Sequence, residues 1–131
     1  MKRYVEEAGT ALVRELLAEA SAATARFTQS EVASALARRC REGAYSEGDR
    51  DRALSALAAD FDALELVELT RSVVSRSIAL LVKHPLRAAD ALQLASCLEL
   101  REHVSVPIVF VAWDARLLDG ARSEGLETKP D

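Results

Sequence analysis

A carboxylate inside an apolar helical stretch is the first place where this sequence offers chemistry. Residues 86–99 read Leu-Arg-Ala-Ala-Asp-Ala-Leu-Gln-Leu-Ala-Ser-Cys-Leu-Glu. At helical spacing Leu86, Asp90, Leu94 and Cys97 lie close to one face, and Ala91, Leu92, Ala95 and Leu98 widen the apolar surface around it. An acid so placed must find protein partners or a cation, or carry a proton, because burying it bare costs several kcal/mol or more. Two plainer accounts compete. Asp90 could sit in the first turn of its helix, where the dipole favours an acid by about 0.3 to 1 kcal/mol, or Arg87, one turn earlier, could pair with it.

Two further acids share that structural address. Glu31 falls in the first turn of a helix read from Ser30 to Arg41, whose apolar positions are Val32, Ala33 and Leu36. Asp114 follows directly on Pro107–Ala112, the strongest strand signal in the chain, and precedes a helix over residues 115–124. Two of the three helix starts therefore follow on strands, which is where open α/β sheets place their ligand crevices. Three converging carboxylates cannot all stay ionised unaided, since like charges raise one another's pKa. A hard cation resolves this: Mg²⁺ or Mn²⁺ takes carboxylate oxygens and waters, lowers the pKa of a bound water and stabilises charge on a phosphate oxygen. Singly, each acid has a blander reading. Asp114 could be only an N-cap, and Glu31 could face solvent along a surface continuing through Ser34, Ala35 and Arg38. The set is more specific than any member.

The elements that must position these acids follow from the chain in order. Residues 2–8 read as the tail of a helix broken by Gly9, and Thr10 looks like the cap of a helix over residues 11–20, with Leu12, Leu16 and Leu17 on one face. Ala22–Thr28 is the first plausible strand, weakened by its alanines. Gly43 ends the Ser30–Arg41 helix, and Ser46 caps a long amphipathic one with Leu54, Leu57, Ala58 and Phe61 on its buried side. Glu65–Leu69 reads as a short edge strand guarded by acids. Thr70 caps a helix from Arg71 to Val82, and His84-Pro85 breaks the chain before residue 86, with His84 read as a surface residue. Pro107–Ala112 is expected to be central in a parallel sheet covered on both faces. Gly125 closes the last helix, and Leu126–Lys129 adds a final short strand. The alternation predicts an α/β domain with a mostly parallel sheet.

Composition narrows the function classes. The chain has 131 residues, of which 50% are hydrophobic and 29% charged, so one domain with a single core is expected. No apolar run is long enough to span a membrane. The formal net charge of -4 excludes the whole-molecule positive field of a general nucleic-acid binder and leaves only local basic patches. Cys40 and Cys97 lack metal-ligand spacing, and only two histidines are present, so neither zinc nor a disulfide framework is expected. The charged N-terminus does not look like a signal peptide, and a cytoplasmic location follows by default.

These residues together resemble the PIN-domain nucleases, and more narrowly the VapC-like toxins of bacterial toxin-antitoxin pairs. The matching segments are Lys2-Arg3-Tyr4-Val5-Glu6-Glu7, Ser30-Glu31-Val32 with Ala35-Leu36, residues 86–95, and Phe110-Val111-Ala112-Trp113-Asp114 followed by Arg116-Leu117-Leu118 and Gly125-Leu126. The resemblance implies a three-layer sandwich, a mostly parallel sheet flanked by helices. It implies hydrolysis of RNA phosphodiesters, with Glu31, Asp90 and Asp114 as ligands of Mg²⁺ or Mn²⁺, and a cognate antitoxin that holds the protein inactive. Arg38, Arg39 and Arg41 are candidate contacts to the RNA backbone, although a solvated helix face is the simpler account. A homodimer without membrane association is expected.

Two departures stand out. Ala112 occupies a position where the family often has Thr or Ser. The family also begins with a central strand ending in a nearly obligatory Asp, and the present sequence starts inside that motif. Residues 1–131 are thus expected to be one N-terminally truncated domain lacking its first central strand, with exposed edges that favour poor folding or association. A start placed inside a longer frame, at a GTG codon otherwise read as Val, would account for this. An intact mass of the native protein equal to that of these 131 residues would overturn it. The competing expectation is a catalytically inactive PIN remnant serving as a protein-binding module.

Overall fold

The computed structural model describes residues 22–130. The readings of residues 2–8 and of the Thr10-capped helix lie outside this range. The chain divides after Leu66 into two compact units. Among the described residues the buried apolar side chains form two clusters, one in each unit.

The first unit contains β1 (Ala23–Ala25), α1 (Thr28–Arg41) and α2 (Glu47–Asp62), and β2 (Glu65–Val67) begins in it and pairs with β1. The strand expected over Ala22–Thr28 is confined to three residues. Backbone bonds from Gln29 N–H to the Arg26 carbonyl (3.2 Å) and from Glu31 N–H to the Phe27 carbonyl (3.2 Å) turn the chain into helix early. Helix α1 therefore starts two residues before Ser30, with Phe27 at its N-cap and no side-chain cap. Val32 and Leu36, one turn apart, pack with Leu57 and Phe61 of α2. Each buried side chain contributes on the order of 1.5–3 kcal/mol. Gly43 closes α1 at φ +83, a left-handed backbone that suits glycine. The Tyr45 hydroxyl then donates to the Leu36 carbonyl (2.8 Å), tying the turn back to the helix. Ser46 caps α2 as expected, its hydroxyl accepting from Asp49 N–H at 3.1 Å.

The second unit contains α3 (Arg71–Lys83), α4 (Ala88–His103), β3 (Val109–Val111), α5 (Ala115–Ser123) and β4 (Glu127–Lys129). Thr70 caps α3 by accepting from Val73 N–H (3.2 Å). The helix ends at His84, which is extended (φ -129, ψ 150), as the residue before Pro85 must be. Ser72 and Arg76 at the start of α3 meet Glu99 and Glu102 near the end of α4, so the two helices run antiparallel. Arg76 lies 2.6 Å from Glu102 and 3.4 Å from Glu99, and the Ser72 hydroxyl donates to Glu99. Strands β3 and β4 are parallel, joined through α5, with Val109, Phe110 and Val111 opposite Glu127, Thr128 and Lys129. Val73, Leu80, Ala91, Leu94, Ala95, Leu98, Phe110, Leu117, Ala121 and Leu126 form this unit's core.

The mixed α/β architecture expected from the sequence is present, with five helices among the described residues. Two strand readings are corrected. The Pro107–Ala112 strand is shortened to Val109–Val111, pairs with β4 alone among the described residues, and leaves Val109 39% exposed. Glu65–Leu69 is shortened to Glu65–Val67, and beyond it Thr70 N–H bonds back to the Glu68 carbonyl (3.0 Å), turning the chain toward the α3 cap.

Candidate active site

Asp90 occupies the third position of α4, inside the first turn. It is half-buried, next to Ala91 and one turn before Leu94, both fully buried. Among the described residues its carboxylate makes no hydrogen bond or ion pair, so the pairing with Arg87 is not formed. Arg87 instead takes the N-cap position and supplies no side-chain acceptor to the exposed N–H groups of the helix.

Asp114 is the N-cap of α5, in extended conformation (φ -95, ψ 124), three residues past the end of β3. Its Oδ1 accepts from Leu117 N–H at 3.0 Å. The capping reading is thus correct, and the bond fixes the carboxylate's direction while engaging one oxygen. Ala112, where a hydroxyl was missed, packs on the core and donates its N–H to the Lys129 carbonyl (3.1 Å).

Glu31 lies in the first turn of α1 and is exposed. It belongs to the first unit, while Asp90 and Asp114 belong to the second. Among the described residues no group of three or more His, Cys, Asp or Glu is gathered as a metal site. Of the basic candidates in the last turn of α1, Arg38 and Arg41 are exposed and Arg39 is half-buried.

Sequence reasoning missed one charged cluster. His84 is not a simple surface residue: its side chain is half-buried and its Nε2 lies 2.8 Å from Glu124 Oε2, which also accepts from Lys83 at 2.8 Å. The Lys83 ammonium and then the His84 ring hold the Glu124 carboxyl below its ordinary range. Forty residues separate His84 from Glu124, and no local signal links them. Cys97 is a core thiol, pushed up to about 11 by burial, and so is no nucleophile near neutral pH.

A family model described as "PIN domain" matches residues 4–105, a span that holds Glu31, Asp90 and all of α1 to α4. The chain belongs to the PIN domain family. Two relatives, both from Mycobacterium tuberculosis, extend that match. Ribonuclease VapC45 of strain CDC 1551 / Oshkosh is 32% identical over 131 residues, covering 99% of this chain and 89% of the relative. Ribonuclease VapC49 of strain ATCC 25618 / H37Rv gives the same identity and coverage. Asp114 and α5 lie beyond the span matched by the PIN family model but inside the near-complete alignment with these relatives. In this PIN chain the acid at the α4 N-terminus and the acid capping α5 both belong to the second unit.

Proposed function

We propose that this chain is a metal-dependent endoribonuclease, hydrolysing RNA phosphodiester bonds as the toxin of a toxin-antitoxin pair and restrained by a cognate antitoxin protein. The observation that carries this reading is the similarity to two proteins named ribonucleases across 99% of the chain. The donor chemistry fits Mg²⁺ or Mn²⁺. Asp114 keeps one carboxylate oxygen outside its capping bond, and Asp90 has no protein partner among the described residues. One or two carboxylates with waters and substrate phosphates are an ordinary Mg²⁺ environment. Asp90, Asp114 and Glu31 are the residues proposed to hold the ion, which when bound supplies an acidic water and neutralises charge on the phosphate. Asp114, fixed by Leu117 N–H, presents its free oxygen in one direction, and Asp90 lies in the first turn of α4. Arg38, Arg39 and Arg41 are proposed contacts to the RNA backbone.

The test is cleavage of labelled single-stranded RNA by the purified chain. Hydrolysis is expected with Mg²⁺ or Mn²⁺ and none after chelation. Replacing Asp90 by Asn is expected to lower the rate by about 100-fold or more, since several kcal/mol of charge stabilisation is removed.

A second reading, a catalytically inactive PIN protein that binds a partner chain, is favoured by the lack of a three-acid group among the described residues. Absence of both cleavage and Mn²⁺ binding in calorimetry would select it. Homodimerisation is proposed with either reading, and a monomeric mass by light scattering would refute it.

A further inference from the structure

We propose that the outward face of α3 is the surface through which two copies of this chain pair, antiparallel about a twofold axis at Ile78; this rests on the homodimer proposed above. Helix α3 is apolar on two sides. Val73, Ser77 and Leu80 are buried, and Val73 and Leu80 belong to the core of the second unit. On the other side Val74, Ile78, Leu81 and Val82 recur at helical spacing and are exposed, Ile78 at 58% and Val82 at 87%. A surface helix needs one apolar stripe to dock on its core, and this one carries a second.

The size and chemistry of the second stripe suit another copy of the chain. Its four aliphatic residues expose on the order of 400 Å², within the range at which an apolar patch marks an interaction site. A standard interface takes about 800 Å² from each partner, somewhat over half of it apolar. The stripe, with exposed Arg71, Ser75 and Ala79 around it, supplies most of one such side. It also carries no charge: the one charged residue between Arg71 and Lys83 is Arg76, which is engaged with Glu99 and Glu102 of α4. A twofold axis sets a residue against itself, which an aliphatic side chain tolerates and a charge does not. With Ile78 on the axis, Val74 of each copy meets Val82 of the other.

The ends of the helix set the direction. Arg71 is exposed at the N-terminal end and makes no hydrogen bond or ion pair among the described residues. At the C-terminal end His84 N–H bonds to the Leu80 carbonyl (2.8 Å), and Pro85 has no N–H to follow it, so the Leu81 carbonyl is left without its helical partner. An antiparallel second copy lays its Arg71 over this end, where the carbonyls form the negative pole of the helix. Lys83, the cation already there, is balanced by Glu124 at 2.8 Å. A parallel copy would instead set Arg71 against Arg71.

The test is sedimentation of the intact chain over a dilution series, which yields a dimer dissociation constant. Ile78→Glu places two carboxylates on the axis and is expected to weaken the dimer by about a hundredfold or more. Glutamate is a good helix former at an exposed site, so its circular dichroism is expected to match wild type. Arg71→Ala is expected to weaken the dimer by about three- to thirtyfold. Ile78→Cys is expected to join two copies by a disulfide under mild oxidation, while wild type, whose Cys40 and Cys97 are half-buried, stays unlinked. A dimer that Ile78→Glu leaves intact overturns the assignment and leaves the homodimer standing on another surface; if that variant loses its helical signal, the absence of a link through Ile78→Cys does the same. A tighter dimer from Arg71→Ala overturns the antiparallel arrangement. A monomeric wild type overturns the homodimer and this inference together. In that case a lower melting temperature of Ile78→Glu assigns the stripe to another segment of the same chain, and unchanged melting assigns it to a different protein.

Discussion

Asp90 combines two properties that seldom meet in one side chain: it interrupts an apolar face, and it has no protein partner among the described residues. Half-burial makes this tolerable, because one side of the carboxylate stays hydrated while the helix N-terminus offsets part of the lost solvation. Asp90→Asn is therefore expected to fold normally, changing stability by no more than about 1 kcal/mol, while losing cleavage. Thermal melting beside the rate assay separates the two effects, and a large loss of stability would contradict the argument. Glu124 makes the opposite kind of prediction. Its folded-state pKa is lowered, chiefly by Lys83 and then by His84, so its stabilisation is present above the ordinary glutamate value of 4.5 and is lost as pH falls through the lower folded value. Melting temperature followed from pH 7 downward should show wild type and Glu124→Gln converging on the acid side. A gap that persists unchanged through the acid range would contradict this linkage.

At the scale of elements, Asp114 caps α5 and is proposed to hold the metal, and substitution can separate the two. Asp114→Asn keeps an oxygen for Leu117 N–H and removes the charge, whereas Asp114→Ala removes both. The alanine variant is expected to be less stable than the asparagine variant by about 1 kcal/mol, the usual worth of an N-cap, with both equally poor in cleavage. Urea unfolding of the pair measures the difference, and equal stability would show that the cap contributes nothing to α5. The caps at Ser46, Thr70 and Asp114 were legible because the residue types that accept from a helix N–H are few. The start of α1 was not, because Phe27 holds that position through backbone bonds without a capping side chain. Strand lengths were overread for a related reason: the β-branched run at Pro107–Ala112 and the apolar residues set among acids at Glu65–Leu69 mark where a strand can form, but the ladder extends only as far as partner strands supply bonds.

At the scale of the molecule, the described buried apolar residues fall into two clusters, one around Leu36 and Leu57 and one around Leu94 and Val73. Leu94 is fully buried, so Leu94→Ala is expected to cost about 2–5 kcal/mol through lost transfer energy and the cavity left behind. A urea midpoint near that of wild type would contradict the described packing. Among the described residues no helix is long and apolar enough to cross a membrane.

The sequence by itself determined the order of helices and strands, the helix-starting positions of Asp90, Asp114 and Glu31, and the resemblance to PIN domains, now matched over residues 4–105. These are local or linear properties: periodicity, capping chemistry and motif order are written within a few turns of chain. Only the tertiary structure decided that Asp90 goes without Arg87, that His84 meets Glu124 across forty residues, and that the described core residues fall into two clusters. Each of those depends on which distant surfaces are brought together, and burial and pairing are set by that meeting.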